Sequence, residues 1–359
     1  MMILSPHCGV ASETTSGAEH YERELLTRLA AKHDVHVLLT GRAYDRAPEA
    51  MWTRHRLHFQ RGLKWWTAPA MLLDRMRELP RPDLLRVHSL KIIGPSALYA
   101  RRTFWPGVKL VAHHHHLDPG RRPIERFVSD RMDRVIVGSH FALRQMQTRG
   151  WRTDHVRVVP YGVDPERFTP SAITPEMRVG SGYLKVIYFG GLKHRKNLGA
   201  LLGVWQQVAP RVSAAGLVIA GGGALLEPLK ALVARQSIPR VRFLGYVKEA
   251  DKPAVYRSAD VFVFPSTLEG FGLPVLEAMA SGLPCVVSTA GDFRDWIGPP
   301  YVIPLTDDMG GRLWASTLEM LLRNDRLRQV IGRENRARVE TMTWDRCVTE
   351  TVKVYEEVV

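Results

Sequence analysis

Cysteine is scarce in this chain. Three occur in 359 residues, Cys8, Cys285 and Cys347, an odd number spread far apart. They make no disulfide framework, which points to a reducing compartment. Long apolar runs are missing as well: nothing approaches the ~18 residues of a membrane-crossing helix. The opening MMILSPHCG has no basic stretch and too short an apolar one for a secretory signal, so the expected location is cytoplasmic. Acidic residues are in deficit. Fifty Lys and Arg face 36 Asp and Glu, a formal charge of +14. The excess lies in the first half, where residues 1–180 carry +10 against +4 beyond, and where 13 of the 14 histidines fall. Such an excess can serve nucleic acid, anionic membrane or acidic small molecules. Dense Lys/Arg runs and zinc-ligand spacings are lacking, so nucleic acid is not an expected partner.

What is present is ordinary globular composition, 45% hydrophobic and 24% charged, over a length that suits two domains. Short β-rich runs alternate with helical patterns. MMILS, DVHVLLT, LLRVHS, KLVAHH, DRVIVGS and VRVVPYG read as strands. SGAEHYERELLTRLAAKH puts Leu25, Leu26, Leu29 and Ala30 on one helical side. The rhythm predicts an α/β chain with parallel sheets. It breaks at FTPSAITPEMRVGSGY, rich in Pro, Gly, Ser and Thr, and restarts with LKVIYFGG, AGLVIAGGG, VRFLGYV, DVFVFPS and LPCVVST. The expected layout is a first Rossmann-like domain over residues 1–170, a linker over 171–183 and a second such domain over 184–344. Two facing doubly wound domains would place a small-molecule site in a cleft at their strand ends.

The segment STLEGFGLPVLEAMASGLPC sets Glu269 and Glu277 eight positions apart, around Gly270-Phe271-Gly272-Leu273-Pro274. Glu269 is expected in a loop after a buried strand, and Glu277 in the first turn of a helix opened by Pro274. Gly270 and Gly272 let backbone approach a ligand closely. Free N–H groups at a helix start favour phosphate, while a carboxylate accepts from a sugar diol. These parts together suit a ligand with a diphosphate and hydroxyl-rich rings. A glutamate in a first helical turn, taken alone, is usually a cap that complements the helix dipole, and the motif as a whole reverses that reading.

The whole motif resembles the donor-site signature of the Glu-x7-Glu, GT-B-fold retaining glycosyltransferases, the group 1, family 4-like family that includes bacterial polysaccharide mannosyl- and rhamnosyltransferases. The likeness covers nearly the whole chain. GVDPERFTP resembles the segment before the interdomain linker, FGGLKHRKNL the diphosphate loop, VRFLGYV the strand and loop around the base, and SGAEHYERELLTRLA the first loop and helix of the acceptor domain. MTWDRCVTETVKVYEEVV resembles the last helix, about 345–359, which in that fold crosses back to the first domain. The resemblance implies that Glu277 binds the ribose hydroxyls and that Glu269 lies near the donor sugar. Backbone at Phe271, Gly272 and Leu273 would contact sugar and phosphates, and Lys196 would neutralise the diphosphate. Many relatives have arginine where this chain has Gly191, and Arg195 or Lys193 would take its place, Arg195 by preference. Tyr246 would pack on the base or merely close its loop. Gly17 would sit near the donor phosphate or simply start a helix.

KLVAHHHHLDP holds His113 to His116 at an expected strand end. Neighbours in a strand point to opposite faces, so the four do not share one ion. In the family, a histidine here faces the donor sugar, which falls on His114, His115 or His116. MWTRHRLHFQRGLKWW, Met51 to Trp66, mixes aromatics with cations. It suits an anionic membrane interface, or equally a strand and loop with aromatics in the core.

The reaction implied is sugar transfer from a nucleotide-sugar, GDP-mannose or a UDP-sugar, to a saccharide or lipid-linked saccharide, with retention. Asp-x-Asp, the metal-diphosphate signature of the other major glycosyltransferase fold, does not occur in the chain. No metal and no cofactor is expected beyond the donor itself. The competing reading is a non-catalytic nucleotide-sugar or lipid binder of the same fold. The Gly191 departure leans that way, and the retained Lys196 leans back. The expected site of action is the cytoplasm, or peripherally the inner face of the membrane.

Overall fold

Strand β1 (Met2–His7) takes its place because Ile3 and Leu4 are wholly buried, and parallel neighbours form on both of its sides, β2 (Asp34–Thr40) and β4 (Leu84–Val87). The computed structural model describes residues 1–7, 17–40, 53–57, 68–115, 123–170, 184–297, 301–304 and 311–359. These divide into two units, Met1–Tyr161 with Trp344–Val359, and Gly162–Thr343.

The first unit adds β3 (Thr53–Leu57), β5 (Lys109–His114), β6 (Arg134–Val137) and β7 (Val156–Val158), in the parallel order β3-β2-β1-β4-β5-β6-β7. Its helices are α1 (Gly17–Leu29), α2 (Ala68–Arg77), α3 (Gly94–Thr103), α4 (Pro123–Ser129), α5 (His140–Thr148) and, from the end of the chain, the last helix (Trp344–Glu356). Leu25, Leu26 and Leu29 bury the inner stripe of α1, as their helical spacing predicts. The terminal helix packs on α1, with Trp344 edge-on to His20 and Arg28 reaching Asp345.

In the second unit the parallel order is β10-β9-β8-β11-β12-β13, from β8 (Leu184–Phe189), β9 (Ala215–Ala220), β10 (Val241–Gly245), β11 (Val261–Phe264), β12 (Cys285–Ser288) and β13 (Val302–Ile303). Its helices are α6 (Leu198–Val208), α7 (Leu226–Arg235), α8 (Lys252–Arg257), α9 (Leu273–Ala280), α10 (Phe293–Trp296), α11 (Arg312–Arg323) and α12 (Asp325–Val339), which makes the terminal helix α13. β8 and β11 are neighbours, although two strands and three helices separate them in sequence. The strand order reverses between them, and the loops that follow them are tied together where Thr267 donates its N–H to the Arg195 carbonyl at 2.7 Å. Such a switch point opens a crevice at the strand ends.

The first unit ends at Tyr161, and residues 162–170 belong to the second unit, earlier than the boundary expected at 170. Backbone and side-chain bonding draws them there. Val163 donates its N–H to the Met342 carbonyl, Arg336 reaches the carbonyls of Pro165 and Phe168, and Phe168 packs edge-on against Tyr256. The expected linker, 171–183, lies outside the described residues. So does His116, and so does most of Met51–Trp66, whose described part is the backbone of β3. Among the described residues no helix is long and apolar enough to cross a membrane, and Cys285 and Cys347 are both free and buried.

Candidate active site

The two loops at the switch of the second unit carry the charged groups. After β8 the chain passes Gly190 and Gly191, makes a tight 3-10 turn over His194–Lys196, and enters α6 through Asn197 in the left-handed region. This packs close to the loop after β9: a Cβ on Gly221, at φ +137°, would lie 1.9 Å from the Gly190 carbonyl oxygen. Only glycine fits there. After β11 the chain runs through Pro265 to Gly272, whose φ of +100° starts α9. A Cβ on Gly272 would stand 2.6 Å from the Phe293 ring.

Glu269 and Lys196 meet between these loops. Three donors converge on Glu269 Oε1: Lys196 Nζ at 2.5 Å, Arg195 Nη1 at 2.6 Å and Ser266 Oγ at 2.5 Å. Glu269 and Lys196 are both buried, and Lys196 Nζ also stands 4.3 Å over the Phe264 ring. Burial works to raise the Glu269 carboxyl, but Lys196 and Arg195 outweigh it and hold it below its ordinary value. Burial lowers the Lys196 ammonium to about 8, with Glu269 offsetting only part of the cost. Arg195, not the exposed Lys193, is the second cation at the carboxylate. Its Nη1 also holds the Leu268 carbonyl at 2.7 Å. Gly191 is buried and accepts from the Tyr188 hydroxyl through its carbonyl.

Glu277 lies in the second turn of α9, not the first. The helix begins at Leu273, so Glu277 is its fifth residue, one turn on from the start. Its carboxylate is buried and turns toward α8. The Tyr256 hydroxyl donates to Oε2 at 2.7 Å, and Lys252 Nζ stands 3.5 Å from Oε1. Burial raises the Glu277 carboxyl, with Lys252 offsetting part of the rise. Neither Tyr256 nor Lys252 was picked out by motif. The available signal was their spacing of four on one helix face, in KPAVYRSAD just ahead of β11. Phe271 is buried against Trp296, at 4.5 Å between ring centroids, and Leu273 is buried. Tyr246 follows β10, is 40% exposed, and lies beside Gly222.

The first unit carries a separate polar cluster at the end of β5. His113 is a core residue: Tyr21 and Tyr355 hydroxyls bond its two ring nitrogens at 3.1 and 2.8 Å. His114 points the other way and stacks on Trp151, with ring centroids 5.7 Å apart. His115 places Nε2 at 2.8 Å from Glu22 Oε1 and Nδ1 at 2.5 Å from the Tyr161 hydroxyl. Burial lowers its pKa despite Glu22, so the ring is neutral near pH 7. A carboxylate only accepts, so Nε2 carries the proton and Nδ1 accepts from Tyr161. Glu22 and Arg86 are wholly buried and pair at 2.9 Å through Glu22 Oε2 and Arg86 Nη1. Glu22 and Arg86 have no sequence signature. Gly17 is exposed and is the first residue of α1.

Glu22, His88 and His115 bring three potential ligand atoms within 4.8 Å of one another, the one such group among the described residues. Two imidazoles and a carboxylate can bind divalent metals. Here, however, the guanidinium of Arg86 already supplies the positive charge to the carboxylate.

Family models match both units. The model described as Glycosyltransferase Family 4 matches residues 15–167, and that described as Glycosyl transferases group 1 matches residues 184–323. Each unit thus matches a glycosyltransferase model, and between them the two models span most of the chain. Similar curated proteins include O-antigen chain mannosyltransferase B of Escherichia coli, 32% identical over 47% of this chain and 45% of that protein. A D-inositol 3-phosphate glycosyltransferase of Corynebacterium jeikeium is 32% identical over 66% of this chain and 60% of its own length. The chain thus spans less than two thirds of these curated relatives. Among solved structures, sucrose-phosphate synthase of Thermosynechococcus elongatus superposes with a TM-score of 0.84, at 20% identity over 99% of this chain and 98% of that one. HepE of Anabaena, solved with UDP and glucose, gives 0.82 at 18% identity over 99% of this chain and 100% of that one. At such identities the likeness establishes the GT-B fold.

Proposed function

We propose that this chain is a retaining glycosyltransferase that moves a sugar from a nucleoside-diphosphate sugar to a saccharide or lipid-linked saccharide hydroxyl, without a metal. The observation that carries the reading is the convergence of Lys196 and Arg195 on Glu269 at the β8/β11 switch, with Glu277 one helix away. Lys196 and Arg195 are fixed cations for a leaving diphosphate, which develops negative charge in the transition state. The N-terminus of α9, behind Gly272, turns N–H groups of Phe271, Gly272 and Leu273 toward the same phosphates. Glu277 accepts from the ribose diol. Glu269 orients the two cations and offers its remaining oxygen to the donor sugar. On this reading the protein supplies orientation and charge stabilisation rather than a covalent nucleophile.

Names of relatives favour a mannosyl or glucosyl donor: a mannosyltransferase among the curated proteins, and UDP with glucose in the HepE structure. The acceptor side falls to the first unit, with His115 and His114 as its polar groups at the end of β5. A lipid-linked acceptor would bring the protein to the inner membrane face. Ile124 and Phe127, exposed on α4 with the Arg131 guanidinium 3.6 Å over the Phe127 ring, suit such a surface.

A thermal-shift panel of UDP, GDP, ADP and dTDP with their sugars, run without added metal on wild type and Glu277→Ala, tests this. One nucleotide at ~100 times its dissociation constant is expected to stabilise the wild type by about 2.7 kcal/mol. The variant is expected to lose that shift. No shift with any nucleotide would remove the donor-site reading.

A further inference from the structure

We infer that Tyr256 is a positioning residue for the Glu277 carboxylate, and that with Lys252 it sets how tightly the ribose diol of a nucleoside diphosphate is held; this rests on the donor reading above. The geometry is specific. Tyr256 and Lys252 are four apart on α8, which lies against α9 through this contact. The phenol donates to one carboxylate oxygen at 2.7 Å, while the ammonium stands 3.5 Å from the other. Each oxygen therefore has its own partner.

The phenol itself has no freedom. Its ring is wholly buried, stacked on Phe189 at 5.1 Å and edge-on to Phe168 at 5.8 Å, with Phe262 at 6.0 Å. Phe189 ends β8, immediately before Gly190, so the clamp is anchored to the strand that carries the diphosphate loop. Lys252 is fixed in turn by Glu249 at 2.6 Å. An ionised carboxylate has about four acceptor positions. The brace takes one on each oxygen, Lys252 at Oε1 and Tyr256 at Oε2, and leaves the rest of the set for a ligand's hydroxyls.

Packing alone does not account for the hydroxyl. Phenylalanine would fill the same aromatic cluster but leave the buried Glu277 Oε2 without its donor, so the hydroxyl is there for the carboxylate. A carboxylate that must accept two ribose hydroxyls at once gains from being held in one rotamer beforehand. Otherwise the cost of ordering it is met at binding.

The test compares GDP and UDP with their 2′,3′-dideoxy analogues, by calorimetry on wild type, Tyr256→Phe and Glu277→Ala. Tyr256→Phe is expected to weaken the ribonucleotide that binds by about tenfold, the loss of one hydrogen bond to a charged group. It should leave the dideoxy analogue unchanged, while the free protein, its buried carboxylate now short of one donor, melts a few degrees lower. Equal loss for both analogues, or no loss, while Glu277→Ala still selects against the diol, overturns the inference and leaves the donor reading standing. If Glu277→Ala does not discriminate the diol either, the ribose role falls, and this inference with it. Should Tyr256→Phe fold poorly, Lys252→Gln reads the same brace, with a smaller diol-selective loss expected from its longer contact.

Discussion

Lys196→Ala is expected to lower kcat/KM for the nucleotide-sugar by about a hundred- to a thousandfold, the range seen when one preorganised transition-state donor is removed from a water-poor site. The case rests on where the ammonium sits. It is buried, hydrogen-bonded to Glu269 Oε1 and poised over the Phe264 ring. Water screens it little, so its attraction for a departing diphosphate is large compared with that of a surface lysine. Arg195, with 44% of its side chain exposed, is screened, and Arg195→Ala should cost less. Steady-state rates for the two variants decide the matter. If Lys196→Ala stays within about threefold of wild type, the lysine is a structural partner of Glu269 and the diphosphate is held elsewhere.

The same lysine predicts a pH dependence. Burial lowers it to about 8 in the free protein. A bound diphosphate favours the charged form, so binding donor requires the proton to be present. Donor affinity is then flat below about pH 8 and falls above it, approaching tenfold per unit, because each further unit cuts the protonated fraction of the free protein tenfold. A profile that stays level to well above pH 8 would contradict this. The Glu269 carboxyl gives no opposing limb near neutrality, since Lys196 and Arg195 hold it below its ordinary value in spite of burial.

Chain order explains which of these features could be read in advance. The β-α-β rhythm depends on local patterning, and most of the parallel strands stand where VIVG- and VFVF-like runs announce them, but β3 (TRHRL) and the two-residue β13 have no such run. Glu269 and Lys196 are recognisable because each sits in a short motif with its own glycines. Partnership between distant segments is another matter. Arg195 and Glu269 are 74 residues apart, and they meet because β8 and β11 become neighbours. That adjacency is a property of sheet order, which local pattern does not carry. The turn occupied by Glu277 was misjudged for a local reason: Pro274 marks a helix start, but Leu273 already precedes it inside the helix. The boundary at Tyr161 rests on Arg336, which reaches back 171 residues to Pro165.

Glu22→Ala should destabilise the protein by about 3–5 kcal/mol, the cost of leaving a buried charge without its partner. Arg86 is wholly buried between β1 and the terminal helix. It pairs with Glu22 at 2.9 Å and bonds Ser5 at 2.9 Å and Tyr355 at 2.7 Å. The hydroxyls solvate the guanidinium, but among the described residues only Glu22 neutralises it. The pair is costly to bury and more costly to halve, so the two changes should not add. Glu22→Leu combined with Arg86→Met is expected to be more stable than Glu22→Leu alone, because the orphaned charge is gone. Denaturant midpoints for the two singles and the double measure the coupling. A double variant as unstable as the sum of the singles would mean that Ser5, Tyr355 and His115, rather than the charge pair, hold this part of the sheet together. A recovered double that still fails to transfer sugar would separate the two roles of Glu22: its charge balances Arg86, while its Oε1 fixes the proton of His115 on Nε2.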